Sequence, residues 1–434
     1  MSKLLTTDQL YFSSINFNGY SNDFWNTIYN ETSVSGKFAI DMGRRLNPNR
    51  HVSRNASIWT TPWPQPMIPK YAMVDYDPTF KLSFSDVSDL VANSFAKRIQ
   101  EKNEKFAIMY SGGIDSTVVL IALMKNLTKE ELKNVSVCTS AVALVENPTL
   151  WKNHIYGNFE IIDSISTKYN NLIEAGYTPV TADDGDCLFG TVFGLNIYHN
   201  WNSMAKKYNL SQESTTFLAN NIHRFSDPDL HYSKFKDLLI GYLNLQPDTR
   251  YPNLPQENPD LTFGRKLYDK FDLNCKTAGL PVNSLHDFFW WLIFNVKMLN
   301  CGVRGALYYN DVLEPRTAIH TIENWFNDAL YQHWSMNNNN NGQKILGGPA
   351  TYKQAARDYI YDFDKNEWYR SFKLKLESMA NLALHQEVDA NLPNGRPSAR
   401  FGITTDYELL SIDSPDVKDY IQHHLNNFKI DWSE

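Results

Sequence analysis

Ser111-Gly112-Gly113-Ile114-Asp115-Ser116-Thr117 sets two adjacent glycines among three hydroxyls and one carboxylate. The apolar run Phe106-Ala107-Ile108-Met109-Tyr110 comes directly before it, and the second apolar stretch Thr117–Met124 follows. A buried strand that turns sharply on two glycines and enters a helix can curl its backbone around an anion. The helix N-terminus then offers free N–H groups and a favourable dipole. Ser111, Ser116 and Thr117 can add hydroxyl donors, and Ile114 sits where the helix begins. Asp115 beside phosphates would repel them unless a hard cation such as Mg²⁺ bridges the two. No Gly-Lys-Ser/Thr follows the glycines, so this is not a Walker A loop.

A second group of chemically competent residues is Thr181-Ala182-Asp183-Asp184-Gly185-Asp186-Cys187-Leu188-Phe189-Gly190. Asp183, Asp184 and Asp186 crowd charge into one loop and would raise one another's pKa if buried together. A bound cation relieves that conflict. Asp186 is the better metal ligand of the three, and Cys187 reads as a packed small apolar residue.

These loops need elements to hold them. Val87, Leu90, Val91, Phe95 and Ile99 recur at helical spacing within Ser85–Glu101, with Ser83 or Ser85 as cap. Strands are expected at 106–110, 135–139, 159–163 and 177–182, with helices at 117–124 and 164–175. This strand–helix alternation predicts an α/β fold, a parallel sheet with helices on both faces. Such sheets bind ligands at the carboxyl ends of their strands, where both loops leave. Beyond about residue 190 the pattern predicts a largely helical C-terminal region, with helices near 226–243, 284–299, 317–334, 351–361 and 366–385. Ser335-Met336 and the asparagines 337–341 read as a flexible loop. Short strands are expected at 12–17, 37–42 and 407–412, and a short helix at 417–426. The domains expected are an N-terminal extension at 1–83, an α/β core at 84–200, a helical region at 201–390 that completes the site, and a tail at 391–434.

Ser111–Ser116 resembles the signature of the PP-loop ATP pyrophosphatase superfamily, whose fold is adenine nucleotide alpha hydrolase-like. Within it the chain is most similar to the synthetase domain of asparagine synthetases and β-lactam synthetases. Residues 181–190 resemble that family's Ser-Gly-Glu-Gly-x-Asp-Glu-Leu-Phe-Gly stretch, with Ala182, Asp184 and Cys187 as departures. The resemblance implies that ATP is gripped by residues 111–117 and by Thr139, at the end of a neighbouring strand. It implies that Asp115 and Asp186 hold Mg²⁺, and that Asp183 orients or deprotonates the attacking amine. Ala350–Arg357 is similar in placement to the family's Lys-x-x-Leu-Arg stretch, which gives Lys353 the role of meeting pyrophosphate, with Arg357 one turn on. A solvated helix face is the rival reading of that pair. Glu314-Pro315-Arg316 and Trp325-Phe326-Asn327-Asp328 resemble family segments read here as structural supports.

The implied reaction is adenylation of a small-molecule carboxylate or carbonyl, with release of pyrophosphate, then coupling to an amine or ammonia with release of AMP. The family's glutaminase half begins with Cys directly after Met, and Ser2 stands here. Free ammonia, another amine or a partner protein is therefore the expected nucleophile source. Two alternatives stay open: a nucleobase- or tRNA-modifying enzyme of the same superfamily, and a non-catalytic ATP-binding protein.

Composition narrows these. With 42% apolar residues the 434-residue chain can build a real core. A net charge of −7, from 41 basic and 48 acidic side chains, gives no help toward nucleic acid. Cys138, Cys187, Cys275 and Cys301 match no disulfide framework or metal knuckle. No signal peptide or membrane span is recognisable, so a cytoplasmic protein is expected.

Overall fold

The structure, a computed structural model, describes residues 73–139, 143, 146–164, 167, 169–182, 185–190, 201–203, 205–206, 209–244, 262–277, 279–294, 321–338 and 353–372. The elements expected at 12–17, 37–42, 407–412 and 417–426 lie outside these residues, as do Asp183, Asp184 and Glu314–Arg316. Two compact units divide the described residues. One contains 82–182, 321–330 and 353–372; the other contains 73–81, 185–294 and 331–338.

The first unit is built on a parallel sheet. Helix α1 (Phe84–Lys102) opens on a capping box in which Ser83 and Asp86 satisfy each other's backbone N–H. Of the stripe that the helical spacing predicts, Val87, Val91, Phe95 and Ile99 are buried, whereas Leu90 is exposed. Strand β1 (Lys105–Tyr110) follows, then α2 (Ile114–Asn126), β2 (Val135–Thr139), β3 (Glu160–Asp163), α3 (Tyr169–Glu174) and β4 (Tyr177–Thr181). The central strand β1 and its neighbour β2 are largely buried, as two-sided coverage of a parallel sheet requires, whereas the edge strand β3 is only partly covered.

Strand order is β3-β2-β1-β4-β5, all pairs parallel. The chain steps outward from β1 to β2 and β3, then returns to the far side of β1 as β4. Right-handed crossovers therefore place α2 and α3 on opposite sides of the sheet. α1 packs on α2, and α3 packs on β4. At the sheet's amino end Glu104 ties the layers together: it takes Nε and Nη2 of Arg98 at 2.9 and 2.5 Å and the Thr178 hydroxyl at 2.9 Å.

The helix expected over 317–334 forms only from Ala329 onward, and a fifth strand lies before it. Residues Glu323–Asn324 form β5, paired in register with Val180 and Thr181 of β4. Trp325–Asn327 then makes one tight 3₁₀ turn. The Trp325 ring lies 4.9 Å from that of Phe95, and sheet pairing plus this packing outweighs the local helical pattern.

In the second unit α4 (Gly185–Phe189), α5 (Gln212–Asn221), α6 (Lys236–Asn244), α7 (Thr262–Thr277) and α8 (Leu285–Leu292) are helices. α6 packs on α7, and α8 is buried along its whole length. α5 and α7 were not anticipated. The segment expected as one helix at 226–243 is a turn, a short 3₁₀ stretch at Tyr232–Phe235 and then α6.

Helix α9 (Ala329–Asn338) corrects a second expectation, because it carries Ser335-Met336 and the first two asparagines of the supposed loop. Ser335 is the reason. Its Oγ donates to Leu188 O at 2.7 Å and accepts from Trp290 Nε1 at 2.9 Å. Asn337 and Asn338 bond back to the carbonyls of His333 and Trp334, four residues earlier. Two further helices, α10 (Gln354–Asp364) and α11 (Glu367–Phe372), belong to the sheet-bearing unit, and α10 packs on α1 and α2. Among the described residues no helix is long and apolar enough to cross a membrane.

Candidate functional site

In an open parallel sheet the ligand crevice lies where successive crossovers leave in opposite directions. Here that point falls between β1 and β4. The loop after β1 is Ser111–Gly113, and the chain leaves β4 at the same edge through Ala182.

The loop is preshaped by its own hydroxyls. The Ser116 hydroxyl accepts from Ser111 N at 3.2 Å and donates to Gly113 O at 3.1 Å. Ser111 Oγ accepts from Gly113 N at 3.3 Å and lies 3.2 Å from Ser116 Oγ. Gly113 is the N-cap of α2 in an extended conformation, so the first-turn N–H groups from Ile114 onward face the loop without intrahelical acceptors.

Gly112 has a different task. Its φ is +70°, and a methyl group there would lie 2.1 Å from the Ala143 carbonyl oxygen and 2.8 Å from Glu146 Cβ. The absence of a side chain at 112 thus lets the segment after β2 close onto the loop. Glu146 and Asn147 of that segment are fully buried.

Tyr369 of α11 holds the loop from below. Its hydroxyl donates to Gly112 O at 2.9 Å, and Thr117 Oγ1 lies 3.1 Å from it. That carbonyl faces Tyr369, so in a trans peptide the Gly113 N–H points the other way. Thr117 therefore supports the loop through Tyr369. Thr139 is buried too, and its hydroxyl donates to Tyr110 O at 2.9 Å, tying β2 to β1 at the site edge. Burial pushes the Tyr369 phenol well above its ordinary range, so it stays a donor.

Lys353, like Tyr369, is brought to the loop from far along the chain. Its Nζ lies 2.6 and 2.5 Å from the two carboxylate oxygens of Asp115, across 238 positions of sequence. Lys353 is 3% exposed and Arg357 5%, which removes the solvated-face reading of this pair. Lys353 adopts a left-handed conformation, φ 55°, at the N-cap of α10, and this is why the helix starts three residues later than expected. Arg357 donates to Arg370 O, joining α10 to α11.

The Asp115 carboxylate stands at a helix N-terminus with a cation already on both its oxygens. A nucleotide's Mg²⁺ needs only one or two protein carboxylates beside phosphate oxygens and water. Asp115 would meet that demand once Lys353 moves off its oxygens. Among the described residues no three His, Cys, Asp or Glu side chains gather into a metal cluster. Asp186 lies in the first turn of α4, in the other unit, and Cys187 beside it is fully buried. Gly190 ends this stretch at φ +68°, where any side chain would strike the backbone of Trp290.

Three site residues were not anticipated from sequence. Glu146 and Tyr369 flank the loop as described. Asn324 ends β5 at the same sheet edge. One signal was available: Asn147-Pro148 is an N-cap followed by an N1 proline, which marks a helix start beside Glu146. Comparison with known proteins returns no matching family model, no matching curated protein and no matching solved structure.

Proposed function

We propose that the chain binds ATP at the β1–β4 edge and cleaves it between the α- and β-phosphates, joining a carboxylate to an amine as PP-loop synthetases do. The contact between Lys353 and Asp115 carries this reading: a buried ammonium sits at the head of a glycine loop that opens onto a helix N-terminus. Such a loop is an anion site, and the Lys is the mobile countercharge within it.

The chemistry balances as follows. An acceptor carboxylate oxygen forms a bond to the α-phosphorus, and the bond from that phosphorus to the bridging oxygen breaks. Pyrophosphate leaves with the electron pair. The loop N–H groups and Lys353, transferred from Asp115 to the departing oxygens, stabilise the charge that develops there. Mg²⁺ on Asp115, once bound with ATP, would supply further neutralisation of the phosphates. An amine nitrogen then bonds to the acyl carbon, AMP leaves, and the amine proton passes to a base, the role assigned to Asp183.

The test is release of AMP and pyrophosphate from Mg·ATP in the presence of pooled carboxylic acids and amines. The reading expects release that needs both pools for coupled product, and a loss of at least about 100-fold in Lys353→Met. Release unchanged in that variant would overturn it. ATP binding without turnover would favour a binding protein, and turnover only with RNA would favour a nucleobase modifier.

A further inference from the structure

We infer that Tyr369 is a positioning residue whose hydroxyl locks the Gly112–Gly113 peptide with its N–H turned into the phosphate loop. The inference deepens the synthetase reading above and rests on it for the ligand.

A peptide that joins two glycines is the least restrained kind in a chain. Turning it over rotates ψ of Gly112 and φ of Gly113 by about 180° in opposite senses, and glycine accepts both signs of φ. φ of Gly113 is −71°, so the turned peptide would carry it into the positive range, which a Cβ resists and glycine enters freely. In one orientation the loop offers its ligand a donor N–H. In the other it offers a carbonyl oxygen, which repels phosphate. Backbone sterics do not choose between the two, so a hydrogen bond must.

The next peptide is already held, because Gly113 O accepts from Ser116 Oγ at 3.1 Å and from Thr117 N at 2.9 Å. On the carbonyl side of the Gly112–Gly113 peptide the partner is Tyr369, whose hydroxyl donates to Gly112 O at 2.9 Å. A phenol has a single proton and a carbonyl cannot donate, so the Thr117 hydroxyl, 3.1 Å away, donates to the Tyr369 oxygen. Both side chains of this relay are fully buried, where successive hydrogen bonds strengthen one another. On the N–H side the present acceptor is Ser111 Oγ at 3.3 Å. That is a long contact to a neutral hydroxyl, and a charged phosphate oxygen is the stronger acceptor.

Tyr369 is itself firmly placed. Its N–H donates to Asn366 Oδ1 at 3.0 Å, and its neighbour Arg370 grips Asp358 of α10 through Nε at 2.9 Å and Nη2 at 2.7 Å. α10 in turn begins at Lys353, on Asp115. The α10–α11 pair thus holds the loop twice, its carboxylate through Lys353 and its backbone through Tyr369.

The test uses the full chain labelled with glycine that carries ¹⁵N and a ¹³C carbonyl, which reports the peptides between consecutive glycines, 112–113 and 347–348. Gly113→Ala assigns the first. The wild type is expected to give a single Gly113 amide signal that Mg·pyrophosphate shifts. Tyr369→Phe, which removes one oxygen, is expected to double or broaden that signal and to weaken Mg·pyrophosphate and Mg·ATP at least tenfold, the scale of one hydrogen bond to a charged group. Tyr359→Phe is the stability control: it deletes a phenol hydrogen bond from α10 to Asp89 of α1, and both Kd values should stay within twofold. A wild-type Gly113 amide that ignores bound pyrophosphate, a single sharp signal or unchanged affinity in Tyr369→Phe, or equal weakening in Tyr359→Phe overturns the lock and leaves the synthetase reading standing. If Tyr369→Phe does not fold, the wild-type response decides. If the wild type binds neither ligand, the synthetase reading falls, and the Gly113 signal of Tyr369→Phe decides the lock: doubled or broadened upholds it, single and sharp refutes it.

Discussion

A Lys with almost no exposure and an Asp with one-fifth of its side chain exposed form the shortest charged contact at the loop. Removing one partner of such a pair leaves the other buried and uncompensated. Lys353→Met is expected to cost about 3 kcal/mol in chemical denaturation. Adding Asp115→Asn should recover part of this, with a coupling of about 2 kcal/mol; simple additivity would contradict the pairing. The two glycines should behave differently. Gly112→Ala must fit a side chain at positive φ against a carbonyl oxygen, and is expected to cost at least about 3 kcal/mol. Gly113 has φ −71°, so Gly113→Ala should cost only about 1 kcal/mol and show its effect in nucleotide affinity. Equal destabilisation by the two would contradict these assignments. The glycine loop was legible in sequence because its residues are contiguous. Tyr369 and Asn324 were not, since a lone tyrosine and a lone asparagine carry no spacing signal. Lys353 was legible only through a loose resemblance, and its burial depends on how α10 docks.

Elements whose periodicity coincides with their burial were readable: α1, β1 and β2 form within a residue or so of the expected bounds. Where local pattern and tertiary contact disagree, contact prevails, as in β5 and in α9. Ser335→Ala tests the second case. It leaves Trp290 Nε1 without its acceptor and Leu188 O without this donor inside the core, and about 2 kcal/mol of stability should be lost. A neutral effect would mean that α9 is held by something else. Glu104 tests the tie between α1, β1 and β4. The Arg98 hydrogen bonds, with burial opposing, hold its carboxyl below the usual 4.5. Its folded pKa is depressed, so its contribution is present above pH 4.5 and is lost as pH falls through the lower folded value. Glu104→Gln should cost about 1–2 kcal/mol at pH 7, with the difference from wild type shrinking below pH 4.5. A difference that grows on acidification would reverse the sign and refute the assignment.

For the molecule as a whole, strand–helix alternation made a parallel α/β sheet legible, and the strand order puts its switch point between β1 and β4. The interleaving of the two units was not legible, because 321–330 and 353–372 belong with the sheet despite following a long helical stretch. Nothing local in a sequence says which unit a late segment rejoins. The central claim is that the loop at 111–116 grips nucleotide phosphates with Lys353 as countercharge. Calorimetric titration of the full chain with ATP in the presence of Mg²⁺ tests it most directly. The account predicts saturable one-site binding, weakened at least tenfold in Lys353→Met and in Gly113→Ala while both remain folded. No heat with ATP, AMP or pyrophosphate, or binding that both substitutions leave intact, would contradict it.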